Sequence, residues 1–172
     1  VTERAIVLSL QEKVMEAIER VEHLISRVPA DRIAWKATMP SNVTQANDLG
    51  HTIGHLLDCM AGFSAVFRKA FPTEFADFDK LREMSLNGSW SPEEAIKGLR
   101  IVARYIARGF EHCSDADLAR TIPTVFVPEG ETLLTLLLGN LEHLNNHKYQ
   151  LFLYLKLAGV EVSSKDVYRF RG

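Results

Sequence analysis

Cysteine is scarce in this chain: Cys59 and Cys113 are its two thiols, and neither belongs to a CxxC pair. A disulfide framework and a cysteine-built zinc knuckle are therefore excluded, and both thiols read as buried or half-buried side chains. Long apolar runs are lacking as well, since nowhere do about 18 consecutive apolar residues occur, the length that marks a membrane span. The N-terminal stretch VTERAIVLSLQEK carries charges inside its apolar part and no small-residue cleavage site, so it does not read as a secretion signal. Cytoplasmic residence is the expectation. An excess of one charge is missing too: 20 Lys and Arg stand against 22 Asp and Glu, a net charge of -2, which argues against a nucleic-acid footprint and a polybasic membrane patch. Small molecules or proteins are the expected partners. GxGxxG, P-loop and GxSxG motifs are absent, and so are HExxH and Glu-x-x-His. Nucleotide, serine-hydrolase, zincin and di-iron carboxylate readings lose their usual signatures.

What remains is an ordinary globular composition, 47% hydrophobic and 24% charged over 172 residues, enough for one domain spanning residues 1–172 with a real core. Val7, Leu10, Val14, Ala17, Val21, Leu24 and Val28 recur three and four apart, which predicts an amphipathic helix over residues 3–28 that Pro29 ends. A second helix is expected over residues 43–71, opened by Asn42 and Gln45 as a variant capping box. The third, over residues 92–112, has the strongest local signal: Ser91 at the N-cap, Pro92 at the first position and Glu94 at the third. A fourth is predicted over residues 132–158, with Gly159 closing it. Strand signals are nearly absent; residues 121–128 are extended at most as a single strand or an edge hairpin. The fold class is all-α, a four-helix bundle with a long link between its second and third helices. That link reads as a surface connection with Phe71, Phe75 and Phe78 packed on the bundle, around a possible short helix over residues 74–84.

Residues 141–155, LEHLNNHKYQLFLYL, organise the rest. His143 and His147 stand one helical turn apart and converge on one point. Asn140, His143, His147, Gln150 and Tyr154 form a polar stripe on a helix that is otherwise apolar on most of its circumference. The second helix offers a matching stripe of Asp48, His51, His55, Asp58 and Gly62. A histidine pair at this spacing serves either as a hydrogen-bonded core feature or as half of a metal site. A third ligand from another helix decides between them, and His55, in the middle of its helix, is better placed to supply it than His51. Three neutral imidazoles suit a divalent transition metal with an open position, where a water or a thiol becomes a nucleophile near neutral pH. Asp58 and Gln150, or Glu142, are candidates to fix the imidazole tautomers, and Asp58 is also within possible reach of the metal. His23 and His112 read as solvated surface residues.

The segments GHLLDCMAGF and EHLNNHKYQLFLYLKLAG, following a tryptophan-bearing first connection, resemble the DinB/YfiT-like family of metal-binding four-helix bundles. That family's last helix reads H-x-x-H-H-R-G-Q before a leucine-rich run and a glycine. The resemblance implies His55, His143 and His147 as ligands of a divalent metal, zinc or nickel. Asn146 stands in place of one tandem histidine and Lys148-Tyr149 in place of Arg-Gly, while Gln150 is retained. It further implies a homodimer and a metal-dependent enzyme, an S-transferase or hydrolase that activates a low-molecular-weight thiol or water against a small electrophile, in detoxification or stress response. A metal- or small-ligand-binding bundle without turnover is the alternative. Leu134, Leu138 and Leu141 leave an apolar face for the dimer to bury, unless the link of residues 71–90 covers it.

Overall fold

The computed structural model describes residues 3–124 and 127–169. Four long helices dominate it: α1 (Ala5–Ser26), α2 (Leu49–Ala70), then, after the four-residue α3 (Asp79–Arg82), α4 (Pro92–His112) and α5 (Leu133–Leu157). A last short helix, α6, covers Ser164–Val167. Strand structure among the described residues is one antiparallel pair, β1 (Thr121–Ile122) against β2 (Glu131–Thr132). Val125 and Phe126 of the expected extended run lie outside the described residues.

Local chemistry sets the start of α4 and the end of α5. Ser91 Oγ accepts the Glu94 N–H at 3.3 Å, and Pro92 occupies the first turn of α4, where its missing N–H costs nothing. Gly159 closes α5 with φ 81°, a left-handed conformation open to glycine at little cost. Its N–H reaches Lys156 O at 3.0 Å while the Val160 N–H reaches Leu155 O at 2.9 Å, the paired bonds of a Schellman motif. The start of α2 differs from expectation. Asp48, not Asn42, is the N-cap, taking the His51 N–H at 2.8 Å. The next orphan donors, Leu49 N–H and Gly50 N–H, are satisfied by Trp35 O and Ile33 O at 2.9 and 3.0 Å. The incoming connection therefore sets the helix start through tertiary bonds, and Gln45 folds back on Pro40 O and Val43 O.

In packing, α2 lies against α4 and α5, and α1 lies against the same two, so α1 and α2 face each other across the core. Val7, Val14, Val21, Leu24, Ile53, Leu57, Met60, Val102, Ile106, Leu144 and Leu151 fill the space between them, all fully buried. The ends of α1 and α4 satisfy one another. Asp115 accepts the N–H groups of Ile6 and Val7, and the Arg4 guanidinium donates to Phe110 O and Cys113 O.

The link between α2 and α4 packs as an apolar cover. Phe75 is fully buried and stacks with Phe67 at 6.4 Å, and Phe78 is buried beside it, but the link's helix is only the single turn of α3. Its backbone at Leu86 and Gly88 crosses α2 directly over Gly54, where any Cβ would collide with Gly88 O. It leaves the outer face of α5 bare: Leu138, Leu153 and Leu157 are exposed, while Leu134 and Leu141 are half-buried. His112 is exposed as expected. His23 is not free on the surface; its Nε2 and Asp166 of α6 meet at 2.7 Å. No described helix is long and apolar enough to cross a membrane.

Candidate metal centre

The inner face of α2 that meets α5 carries His55 and, one turn later, Cys59; the face of α5 that meets α2 carries His143 and His147 at the same spacing. The four ligand atoms lie within 4.8 Å of one another. His55 Nε2 and His147 Nε2 are 3.1 Å apart, and Cys59 Sγ is 3.7 Å from His143 Nε2. The imidazoles of His55 and His147 meet edge to face with centroids 4.3 Å apart, and His143 stands 4.8 Å from His147. The group sits midway along both helices in the seam between them, not toward one end of the interior: Cys59 is buried, His55 and His147 are half-buried, and His143 is exposed.

Donor chemistry and spacing fit a metal ion. A tetrahedral zinc with nitrogens at about 2.05 Å and sulfur at about 2.3 Å holds two nitrogens about 3.4 Å apart and a nitrogen and a sulfur about 3.6 Å apart. The observed separations of 3.1 and 3.7 Å are close to these, and the widest pair, within 4.8 Å, must close further for all four donors to bind at once. Imidazole and thiolate together favour zinc, nickel, cobalt or copper over magnesium or calcium. The four residues can hold such an ion.

Neighbouring groups orient the donors. Gln150 Oε1 accepts the Nδ1–H of His147 at 2.7 Å, which leaves Nε2 of the neutral ring as a lone pair aimed into the group. The Gln150 amide is turned that way by its other end, which donates to Tyr154 Oη at 3.3 Å, and Tyr154 in turn packs edge-on against Trp35. Asn87, from the link, lies near the His55 ring and opposes the lowering of its pKa. Burial, reinforced by the His147 and His143 rings, lowers the His55 pKa and favours the neutral form a ligand requires. Burial, and then the Asp58 charge, pushes the Cys59 thiol up to about 12. Without a cation beside it, Cys59 is an inert thiol, which argues against a Cys59–His143 nucleophilic dyad.

Among the expected site residues, His55, His143, His147 and Gln150 come together, and Asp58 does not. It is exposed, on the wall of a cleft of about 370 Å³ shared with Ala61, Phe78, Leu81 and Arg82, and acts on His55 only through its charge. Glu142 is exposed. His51 is outside the group as well, bonded at the helix start to its own N-cap Asp48 at 2.9 Å. Cys59 is the residue that sequence reasoning missed. Its signal was the His-x-x-x-Cys spacing, which repeats that of His143 and His147; a helical stripe continuing from His55 runs equally through position 58 or 59, and polarity favoured Asp58. No family model matches the chain, and no curated protein matches it.

Proposed function

We propose that this chain is a metal-dependent enzyme built on a four-helix bundle of the DinB-like kind, with zinc or nickel held by His55, His143 and His147. The reaction is attack of a low-molecular-weight thiol or a water on a small electrophile, consistent with a detoxification or stress role in the cytoplasm. One observation carries the reading: three imidazole donors from two helices converge in a seam whose outer member, His143, is exposed and therefore approachable. When bound, the metal supplies Lewis acidity that makes a thiol or water nucleophilic near neutral pH. The protein's part is positional. Gln150 fixes the His147 tautomer, and the buried side of the seam excludes water from behind the donors. The test is elemental analysis of protein purified without a chelating tag, followed by a thiol panel with a generic electrophile. Turnover that requires both metal and thiol, or metal and water, supports the reading; metal-free protein indifferent to zinc removes it.

A second reading has its own observation. Cys59 Sγ lies where a fourth protein ligand would stand, and four protein ligands make the closed shell of a structural site. In that reading the metal is retained without turnover and its removal is read in stability alone. Both readings pair with a homodimer through the outer face of α5, supported by the exposed Leu138, Leu153 and Leu157. Light scattering of the 19.4 kDa chain checks it, a strict monomer being the opposing result.

A further inference from the structure

Three residues along α2 from Cys59 is Gly62, and three residues back along α5 from His143 is Asn140, each about 4.5 Å of helix rise from the metal donors. The two helices touch there: a Cβ at position 62 would stand 2.5 Å from Asn140 Oδ1, so only glycine lets the Asn140 amide lie across α2. On the far side of this contact a cleft of about 380 Å³ opens between α2, α5 and the β1–β2 hairpin. Val66, Ile122, Val127 and Leu136 line it, and Asn140 stands at its inner end. The volume is at the small end of the roughly 300–1,000 Å³ typical of small-ligand sites, and the lining follows their pattern of apolar walls with a few placed polar groups.

Charge narrows the ligand further. The cation on this cleft, Lys69, is engaged, its Nζ donating to Pro123 O at 2.9 Å and tying α2 to the hairpin, and Glu131 adds a negative charge to the same lining. With Lys69 and Glu131 both in the lining, the cleft carries no net positive charge to hold a phosphate or another anion. Asn140 spends its Nδ2 on Leu136 O at 2.9 Å, and no described residue donates to its Oδ1. That leaves an acceptor for an N–H or O–H at the end nearest the metal donors. The link-side cleft is a poorer match, since its lining, with Asp58 and Arg82 on the walls, is the more polar of the two.

Resting on the enzyme reading above, we infer that the α2–α5–hairpin cleft is the substrate pocket and that the substrate is a compact, uncharged electrophile. Its alkyl or aryl body lies against Val66, Ile122 and Leu136, and its polar, reactive end lies at Asn140, facing the three histidines. Nucleotides, sugar phosphates and peptides are outside this class.

The test uses the zinc-loaded full chain with labelled Ile, Leu and Val methyls, titrated with nitrobenzene as an unreactive aryl probe and with phenyl phosphate as its anionic counterpart. Saturable shifts of the Val66, Ile122 and Leu136 methyls by nitrobenzene alone are expected. Leu136→Trp, which fills the cleft from a half-buried position, should weaken nitrobenzene binding by about tenfold or more while zinc content stays the same. Val66→Phe serves the same purpose if that variant does not fold. Shifts centred on Leu81 and Leu86, equal binding of phenyl phosphate, or no saturable shift would overturn the pocket. Failure of the enzyme reading shows separately, as protein that takes up no zinc or that turns over no thiol and electrophile although the methyls respond.

Discussion

Gln150 holds His147 by a 2.7 Å hydrogen bond at the ring nitrogen that faces away from the donor group. With Nδ1 spending its proton there, Nε2 of the neutral ring has a lone pair to offer, 3.1 Å from the matching atom of His55. Two imidazole nitrogens at that distance need a proton or a cation between them, and the tautomer at His147 assigns any shared proton to His55.

Removing this orienting bond should cost metal affinity more than stability. Gln150→Leu is expected to weaken zinc binding about 10- to 100-fold, the usual scale for a partner behind a ligating histidine, and Gln150→Glu should restore most of it. Competition titration against a chromophoric chelator reads both. An unchanged zinc affinity in Gln150→Leu would show that the bond does not orient a ligand.

Zinc should stabilise the fold by an amount that grows with the logarithm of its concentration over its dissociation constant. At about 100 times the dissociation constant the gain is about 2.7 kcal/mol, or roughly 5–10 °C in melting temperature for a chain of this size. The rise should be lost with EDTA and be much reduced in His143→Ala. Because His143 is exposed, that substitution should leave the metal-free melting temperature within about 2 °C, since surface changes stay within about 0.5 kcal/mol. Calorimetry with and without metal checks both halves.

Gly54→Ala tests how the link supports the centre. The new methyl would meet the backbone at Gly88, so the link must lift off α2, at a cost of about 1–3 kcal/mol as for overpacked cores. Asn87, between the two crossing residues and near the His55 ring, should move away with the link. Lower stability together with weaker zinc binding is expected, measured by urea unfolding and metal titration. A loss of stability with zinc affinity intact would separate the link from the site.

Acid should release the C-terminal turn before it unfolds the core. The hydrogen bond from His23, helped by the Ser163 N–H, holds the Asp166 carboxyl down at about 2 from its ordinary 3.8. A depressed carboxyl contributes stability that is complete above its ordinary value and is lost as the pH falls through the folded one, here between about 4 and 2. For a pair at the surface the contribution is about 1 kcal/mol or less. Hydrogen exchange at α6 should accelerate across that window, and Asp166→Asn should show the fast exchange already at neutral pH.

Much of this architecture was legible because its signals are local. Ser91, Pro92 and Glu94 set the start of α4 where expected, and the leucine period and Gly159 bound α5 to within a residue. The start of α2 was not, because Trp35 O and Ile33 O, acceptors from the preceding connection, decide it. His55 was separable from His51 by its place in mid-helix. The choice between Asp58 and Cys59 was not separable, since the two positions differ by the angle at which α2 meets α5, a tertiary quantity. Hydrophilicity pointed to the aspartate, and packing turned it outward. The pairing of His23 with Asp166 was hidden for the same reason, the partners lying 143 positions apart.

The two halves of the donor group are each written into a single helix, His55 with Cys59 and His143 with His147, yet the halves are 84 to 92 positions apart along the chain. Each half exists as soon as its own helix turns, without any tertiary contact. An ion meeting the chain during folding can therefore be caught first by one helix and carried to the other, closing a loop of about 90 residues whose entropy cost grows only slowly with length. Metal present during refolding would then act on the rate at which α2 and α5 find each other, as well as on the stability of the finished protein.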